Sequence, residues 1–389
     1  MKKIFLGVLS LILIVGVILT PQNTNCVNAS DLFDNFSSKS YVLLDKNSGE
    51  VIVEQNAQEK LPVASICKLM TSLLTLEKID AGVLNLDTEV VASTYACSME
   101  GSQAFLDDGC KYKVYDLLKS VIVASANDSS VVLAEAISGS EKEFVKLMNQ
   151  RAKELGMTNT FYENANGLPT PNQHSTAMDT ALILKEISKN DLYNEFSNIW
   201  MDKLIHPSGR ETDLVNTNRL IKYYSYCLNG KTGFTDEAGY CLASTAQKDG
   251  LTLIAVVLNC KDAASRFSES IELFNYGFAN FENKQVLFKN EPISDAVKVK
   301  NGKIDSTYIG AENNFYVLNK KGENHDVSFE FDIPNSIKAP IKQGDVVGKC
   351  LIIKQGKVIA EENLIALSNI DKQNFKDILD KISNKWELI

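Results

Sequence analysis

The sequence predicts an α+β first domain, with an antiparallel sheet drawn from both ends of the domain around a helical cluster. A small all-β domain and a terminal amphipathic helix follow. Three observations carry this. Apolar residues alternate with period two near 41–54 and again near 240–258, whereas between these stretches they recur at spacings of three and four. Beyond about Lys284, short alternating runs separated by Gly, Asn and Pro turns replace the helical periodicity. From Phe375 onward one helical stripe returns. The 389 residues, 44% apolar and 23% charged, suffice for two or three domains with substantial cores.

The chain opens with Lys2 and Lys3, an apolar run from Ile4 to Leu19, and the small-residue pattern Val27-Asn28-Ala29. This predicts a leader over 1–29 and an exported product. An uncleaved membrane anchor is the alternative reading of the same run. Cys26 does not read as a lipoprotein site, because Asn23-Thr24-Asn25 before it lacks small apolar residues. The whole chain carries 49 acidic and 40 basic residues, a net charge of -9. That balance excludes a nucleic-acid partner gripped by phosphate neutralisation. Seven cysteines follow the leader, an odd number. A local bridge between Cys97 and Cys110 fits their loop, and buried free thiols are the other reading.

The first domain is expected over 30–284. Tyr41–Asp45 and Val51–Glu54 form a hairpin around Lys46-Asn47-Ser48-Gly49. Leu69, Leu73, Leu76 and Ile79 mark a helix from Ser65 to about Ile79. Further helices are expected at 114–123, 129–137, 144–155 (closed by Gly156) and 178–189. Strands Tyr240–Ala246 and Leu251–Leu258 pair through Lys248-Asp249-Gly250, and a helix from Ser265 to about Phe281 closes the domain. The β domain spans 285–365. In the final segment, 366–389, Phe375, Ile378, Leu379, Ile382, Trp386 and Ile389 share one face, and four lysines balance four acids. Such a helix fits either a membrane interface or packing on the preceding domain or on a partner.

Three short motifs carry chemistry. Ser65-Ile66-Cys67-Lys68 places a hydroxyl and an amine one helical turn apart on a common face, with Ser65 at a helix N-terminus. The only histidines are His174, His206 and His325, far apart and without metal-ligand spacing, which counts against zinc and against a Ser-His-Asp triad. A lysine held neutral by burial and a neighbouring cation then serves as the base for the serine. Cys67, off that face, reads as packing. Ser125-Ala126-Asn127 supplies a second hydroxyl for proton relay, and an amide to bind a substrate carbonyl while contacting Lys68. Lys231-Thr232-Gly233-Phe234-Thr235 sets a cation on an edge strand, a glycine that admits a substrate backbone, and two hydroxyls for a carboxylate. Each motif alone has a bland reading: an N-cap serine, a loop tripeptide, a turn before a hairpin.

In the order S-x-x-K, S-x-N, K-T-G, the three motifs resemble those of the penicillin-binding proteins and serine β-lactamases. Within that superfamily the chain is similar to the low-molecular-mass D-alanyl-D-alanine carboxypeptidases over roughly 35–285. Pro62-Val63-Ala64, Gly101–Leu106, Asn166-Gly167-Leu168 and His174–Asp179 support this. Ala126 and Phe234 depart from residues common in some members. The resemblance implies the transpeptidase fold of that superfamily. It implies a peptidoglycan stem peptide ending in D-Ala-D-Ala as substrate, and β-lactams as acylating mimics.

The resemblance also implies roles: Ser65 as nucleophile, Lys68 as base, Ser125 as proton relay, and Asn127 and Lys231 beside them. The backbone N–H groups of Ser65 and Phe234 form the oxyanion hole, and Lys231, Thr232, Thr235 and Arg266 hold the terminal carboxylate. No metal or organic cofactor is called for. Three rival readings remain. A class A β-lactamase needs E-x-x-L-N, but after Glu163 the chain has Asn166-Gly167. A catalytically silent wall-binding scaffold and a small-substrate esterase are the others.

Overall fold

The computed structural model describes residues 33–293, 296–323 and 327–386, with side chains as far as 380. The expected leader, Cys26 and His325 lie outside the described residues.

In chain order the first domain runs β1 (Ser40–Asp45), β2 (Val51–Gln55), a 3-10 turn (Ala64–Cys67), α1 (Lys68–Asp80), β3 (Glu89–Val91), α2 (Thr94–Cys97) and β4 (Lys111–Lys113). Then follow α3 (Val114–Val123), α4 (Asn127–Ser138), α5 (Glu141–Glu154), α6 (Ala177–Ile187), α7 (Asp191–Ser197), β5 (Met201–Ile205), β6 (Glu211–Val215) and α8 (Leu220–Tyr223). It closes with β7 (Cys227–Thr235), β8 (Gly239–Lys248), β9 (Leu251–Cys260) and α9 (Ala263–Asn280). One five-stranded sheet, ordered β2-β1-β9-β8-β7 and antiparallel throughout, joins the two ends of the domain.

Both faces of this sheet are covered. Val42, Leu44, Ile254 and Val256 pack on the helical cluster with Leu69, Leu117 and Leu133, whereas Tyr41, Leu43, Leu253 and Ala255 pack on Phe274 and Phe278 of α9. Strand side chains alternate between faces, so β1 and β9 are buried on both sides. That explains why they read as nearly continuous apolar runs. Among the described residues the edge strand β7 has no partner strand on its outer side, and its Lys231-Thr232-Gly233 segment faces the 3-10 turn.

The remaining strands are β10 (Phe281–Leu287), β11 (Val297–Lys300), β12 (Ser306–Thr307), β13 (Ile309–Ala311), β14 (Phe315–Lys320), β15 (Val327–Asp332), β16 (Ser336–Lys338), β17 (Val346–Lys354) and β18 (Lys357–Ala366). They form small sheets around Val297, Ile309, Cys350, Ile352 and Leu364. The buried Asp45 accepts Asn283 Nδ2 at 2.8 Å and ties β10 to the first sheet. On α10 (Phe375–Trp386), Phe375, Ile378 and Leu379 face solvent, so at these positions the stripe does not pack on the β domain. Among the described residues, no helix is long and apolar enough to cross a membrane.

Two expectations change. Ser65 does not begin a continuous helix: it sits in the 3-10 turn, and α1 starts at Lys68. Cys97 and Cys110 are free thiols, as are the other five cysteines after the leader.

Candidate active site

A cavity of about 420 Å³ opens between the 3-10 turn, the loop before α4 and the edge strand β7. Ser65, Ser125, Asn127, Thr232, Gly233, Phe234, Thr235 and Arg266 all line it. Lys68 and Lys231 lie buried beneath these serines.

Backbone conformation aims the two serines. Ala64 (φ 49°) and Ser125 (φ 64°) both adopt the left-handed region, which costs a non-glycine residue energy and persists only where surroundings enforce it. At Ala64 the enforcement is visible. A Cβ on Gly167 would run into Ala64 O, and one on Gly233 would run into Val63 O. The turn carrying Ser65 is therefore clamped between two glycine-lined backbones. Gly233 also borders the cavity, and its missing Cβ makes room for the protein's own turn, a second demand for glycine at this position. Ser125 turns the chain between α3 and α4.

Two lysine–serine pairs result. Lys68 Nζ lies 2.8 Å from Ser65 Oγ and donates a short hydrogen bond to Asn166 O. Burial lowers Lys68 to about 8, against the opposing pull of Cys67 and Asp128. Lys231 Nζ donates to Ser125 Oγ at 2.6 Å and to Thr232 O at 3.1 Å. Burial first, and then the charges of Lys68 and Arg266, push Lys231 well below the ordinary lysine range. Cys67 is buried and pushed up to about 12 by desolvation, so it stays a neutral packing group.

Asn127 departs from expectation. Its Nδ2 bonds to Glu100 O and its buried Oδ1 has no partner among the described residues, so it does not hydrogen-bond Lys68. The acceptor for Lys68 is instead the Asn166 backbone carbonyl. A backbone atom leaves no trace in a side-chain motif, although Asn166-Gly167-Leu168 had stood out. Asp128, also unforeseen, is buried and accepts Ala104 N at 3.0 Å and Leu106 N at 3.1 Å, holding the loop whose Gly101 and Ser102 line the cavity.

At the other end of the cavity Thr232 Oγ1 donates to Thr217 Oγ1 at 2.6 Å; nothing in the sequence had marked Thr217. Thr235 Oγ1 accepts Ala238 N at 3.1 Å. Arg266 Nη1 donates to Gly233 O at 3.1 Å, while its Nε is buried without a partner among the described residues. The guanidinium lies over the Tyr240 ring at 5.4 Å, and Phe234 stacks on that ring at 4.3 Å. His174 and His206 do not line the cavity. Glu163 is absent from it too, its carboxylate accepting Asn172 N and Nδ2 at 2.9 Å each. The water-activating glutamate of a class A β-lactamase is thus not supplied by Glu163.

Comparison with known proteins gives one consistent picture. Residues 25–262 match the family model described as D-alanyl-D-alanine carboxypeptidase, and residues 281–372 match the C-terminal domain of penicillin-binding protein 5. The chain is 37% identical over 350 residues to D-alanyl-D-alanine carboxypeptidase DacF of Bacillus subtilis, covering 90% of each chain. It is 33% identical to DacC of Escherichia coli, covering 87% of this chain and 85% of that one. The crystal structure of penicillin-binding protein 5 from Haemophilus influenzae superposes with a TM-score of 0.72 at 30% identity, covering 87% of this chain and 98% of that one.

Proposed function

The chain belongs to the D-alanyl-D-alanine carboxypeptidase family, and we propose that it removes the terminal D-Ala from peptidoglycan stem peptides through an acyl-enzyme on Ser65. The observation that carries this reading is the doubled pair, Lys68 on Ser65 and Lys231 on Ser125, around one cavity.

Neutral Lys68 takes the proton of Ser65 as Oγ attacks the carbonyl of the penultimate D-Ala. The oxyanion forms against the N–H groups of Ser65 and Phe234. Ser125 accepts its hydrogen bond from Lys231, which frees its own O–H to protonate the departing amine. The C–N bond breaks, and the proton held by Lys68 restores Ser125. Water then releases the shortened peptide and regenerates Ser65. The terminal carboxylate lies against Thr232, Thr235 and Arg266, with Lys231 beneath them. β-Lactams acylate Ser65 by the same attack.

The substrate places this chemistry outside the cytoplasmic membrane, which fits residues 1–29 as an export leader. The solvent-facing Phe375, Ile378 and Leu379 support peripheral contact of α10 with the membrane surface. The test is D-Ala release from a pentapeptide together with fluorescent-penicillin labelling, for the chain from residue 30 and for its Ser65→Ala variant. Release and labelling that both need Ser65 support the reading; rapid label turnover without D-Ala release favours a β-lactamase.

A further inference from the structure

The catalytic lysine has an acceptor whose own position must be fixed. An amine acting as a base has one lone pair and two N–H groups. Lys68 therefore presents its lone pair to Ser65 only while an N–H is engaged elsewhere, and the engaged partner is Asn166 O. Ala165, the residue immediately before Asn166, is held at both its carbonyl and its N–H. Thr71 Oγ1 donates to Ala165 O at 2.6 Å, and Glu141 Oε1 accepts Ala165 N at 2.9 Å. Glu141 is itself held by Tyr95 OH at 2.7 Å.

Thr71 is fully buried, one helical turn beyond Lys68 on α1. The helix that carries the base thus also carries the donor that fixes the base's acceptor. Lys68, Thr71, Ala165 and Asn166 close a ring. We propose that Thr71 and Glu141 are positioning residues that aim Lys68 at Ser65 by fixing the Ala165–Asn166 segment of backbone. The inference rests on the acyl-serine reading above.

The sign of its pH signature follows from the groups around the amine. Those facing Lys68 are Cys67 beside it, Asp128 on α4 and Lys231 on β7, with Glu141 on α5 acting on Cys67. Thr71→Val keeps shape and changes none of these charges, but leaves Ala165 O unpaired and loosens the backbone segment that carries Asn166 O. With Asn166 O withdrawn, the ammonium form loses an acceptor and the lysine loses its proton more readily. The acid limb of acylation then moves to lower pH while the plateau rate falls. General loosening has the opposite sign, because water entering the site raises the lysine toward its ordinary value.

The experiment measures penicillin acylation rate against pH, with thermal melts, for the wild type, Thr71→Val, Thr71→Ser and Glu141→Ala. Expected for Thr71→Val is a plateau lower by roughly ten- to a hundredfold. Its acid limb should move down by about one pH unit, the equivalent of a lost hydrogen bond to a charged group. Thr71→Ser should recover most of the rate. A wild-type profile in Thr71→Val, a limb moved to higher pH, or a serine variant no better than the valine one overturns the inference. If Thr71→Val does not fold, Glu141→Ala at its half-buried position carries the test, and wild-type kinetics there overturn it. Failure of the wild type to take label would instead count against the acyl-serine reading itself.

Discussion

Gly233→Ala separates two roles for the glycine of the third motif. An alanine Cβ would fall well inside 3.0 Å of Val63 O, and 3.3 Å from both Ala64 Cβ and Ile66 Cγ1. The first neighbour is backbone and cannot swing aside, so β7 and the 3-10 turn must part by roughly half an ångström or more. Overpacking of this kind costs about 1–3 kcal/mol. For a domain of this size that is a fall in Tm of roughly 2–10 °C. Ser65 rides on the displaced turn, and misplacement approaching 1 Å costs on the order of a hundredfold in rate. Stopped-flow acylation by a fluorescent penicillin should show a fall of about ten- to a hundredfold in the rate constant, with a matching loss in the melt. If Gly233 served only to admit substrate, KM for the pentapeptide would rise with Tm unchanged. That result, or acylation within twofold of wild type, refutes the clamp.

The other predictions are shorter. Burial holds Lys68 at about 8, and only the neutral amine accepts the Ser65 proton, so acylation should climb with pH and level off above about 8; a flat profile from about pH 6 to 9 would contradict this. Arg266→Gln should lower kcat/KM for the free-carboxylate pentapeptide about tenfold and narrow its advantage over the C-terminal amide, measured by D-Ala release. Equal selectivity would remove Arg266 from the carboxylate site. Deleting residues 375–389 should leave penicillin acylation unchanged and abolish co-sedimentation with phospholipid vesicles; retained sedimentation would exclude α10 as the membrane contact.

Much of the fold is legible in the sequence where packing follows a single period. The spacing of Val114–Val123 marks α3, and Leu251–Leu258 marks most of β9, because nearly all of their side chains are buried. β7 is harder, since Asn229, Gly230, Lys231 and Gly233 interrupt any apolar alternation. It is a strand through pairing with β8, not through its own pattern. The β5–β6 hairpin is also hidden: Leu204 and Leu214 are its only fully buried side chains, and Met201 and Ile205 face solvent. At the site, motif spacing brings out side chains that act through functional groups. It leaves out the left-handed Ala64, which tertiary clamping imposes, and the Asn166 carbonyl, which any residue would supply. Thr71 and Asp128 resemble ordinary buried helix residues until their partners are seen.

The central claim is that Ser65 is the atom acylated. Digestion with trypsin after penicillin treatment yields Leu61–Lys68, a peptide in which Ser65 and Cys67 are the only side-chain nucleophiles before the terminal lysine. Fragment-ion mass spectrometry distinguishes the two. The account predicts a penicilloyl adduct on Ser65, absent from the Ser65→Ala protein. An adduct on Cys67, or on a peptide elsewhere in the chain with Leu61–Lys68 unmodified, would contradict it.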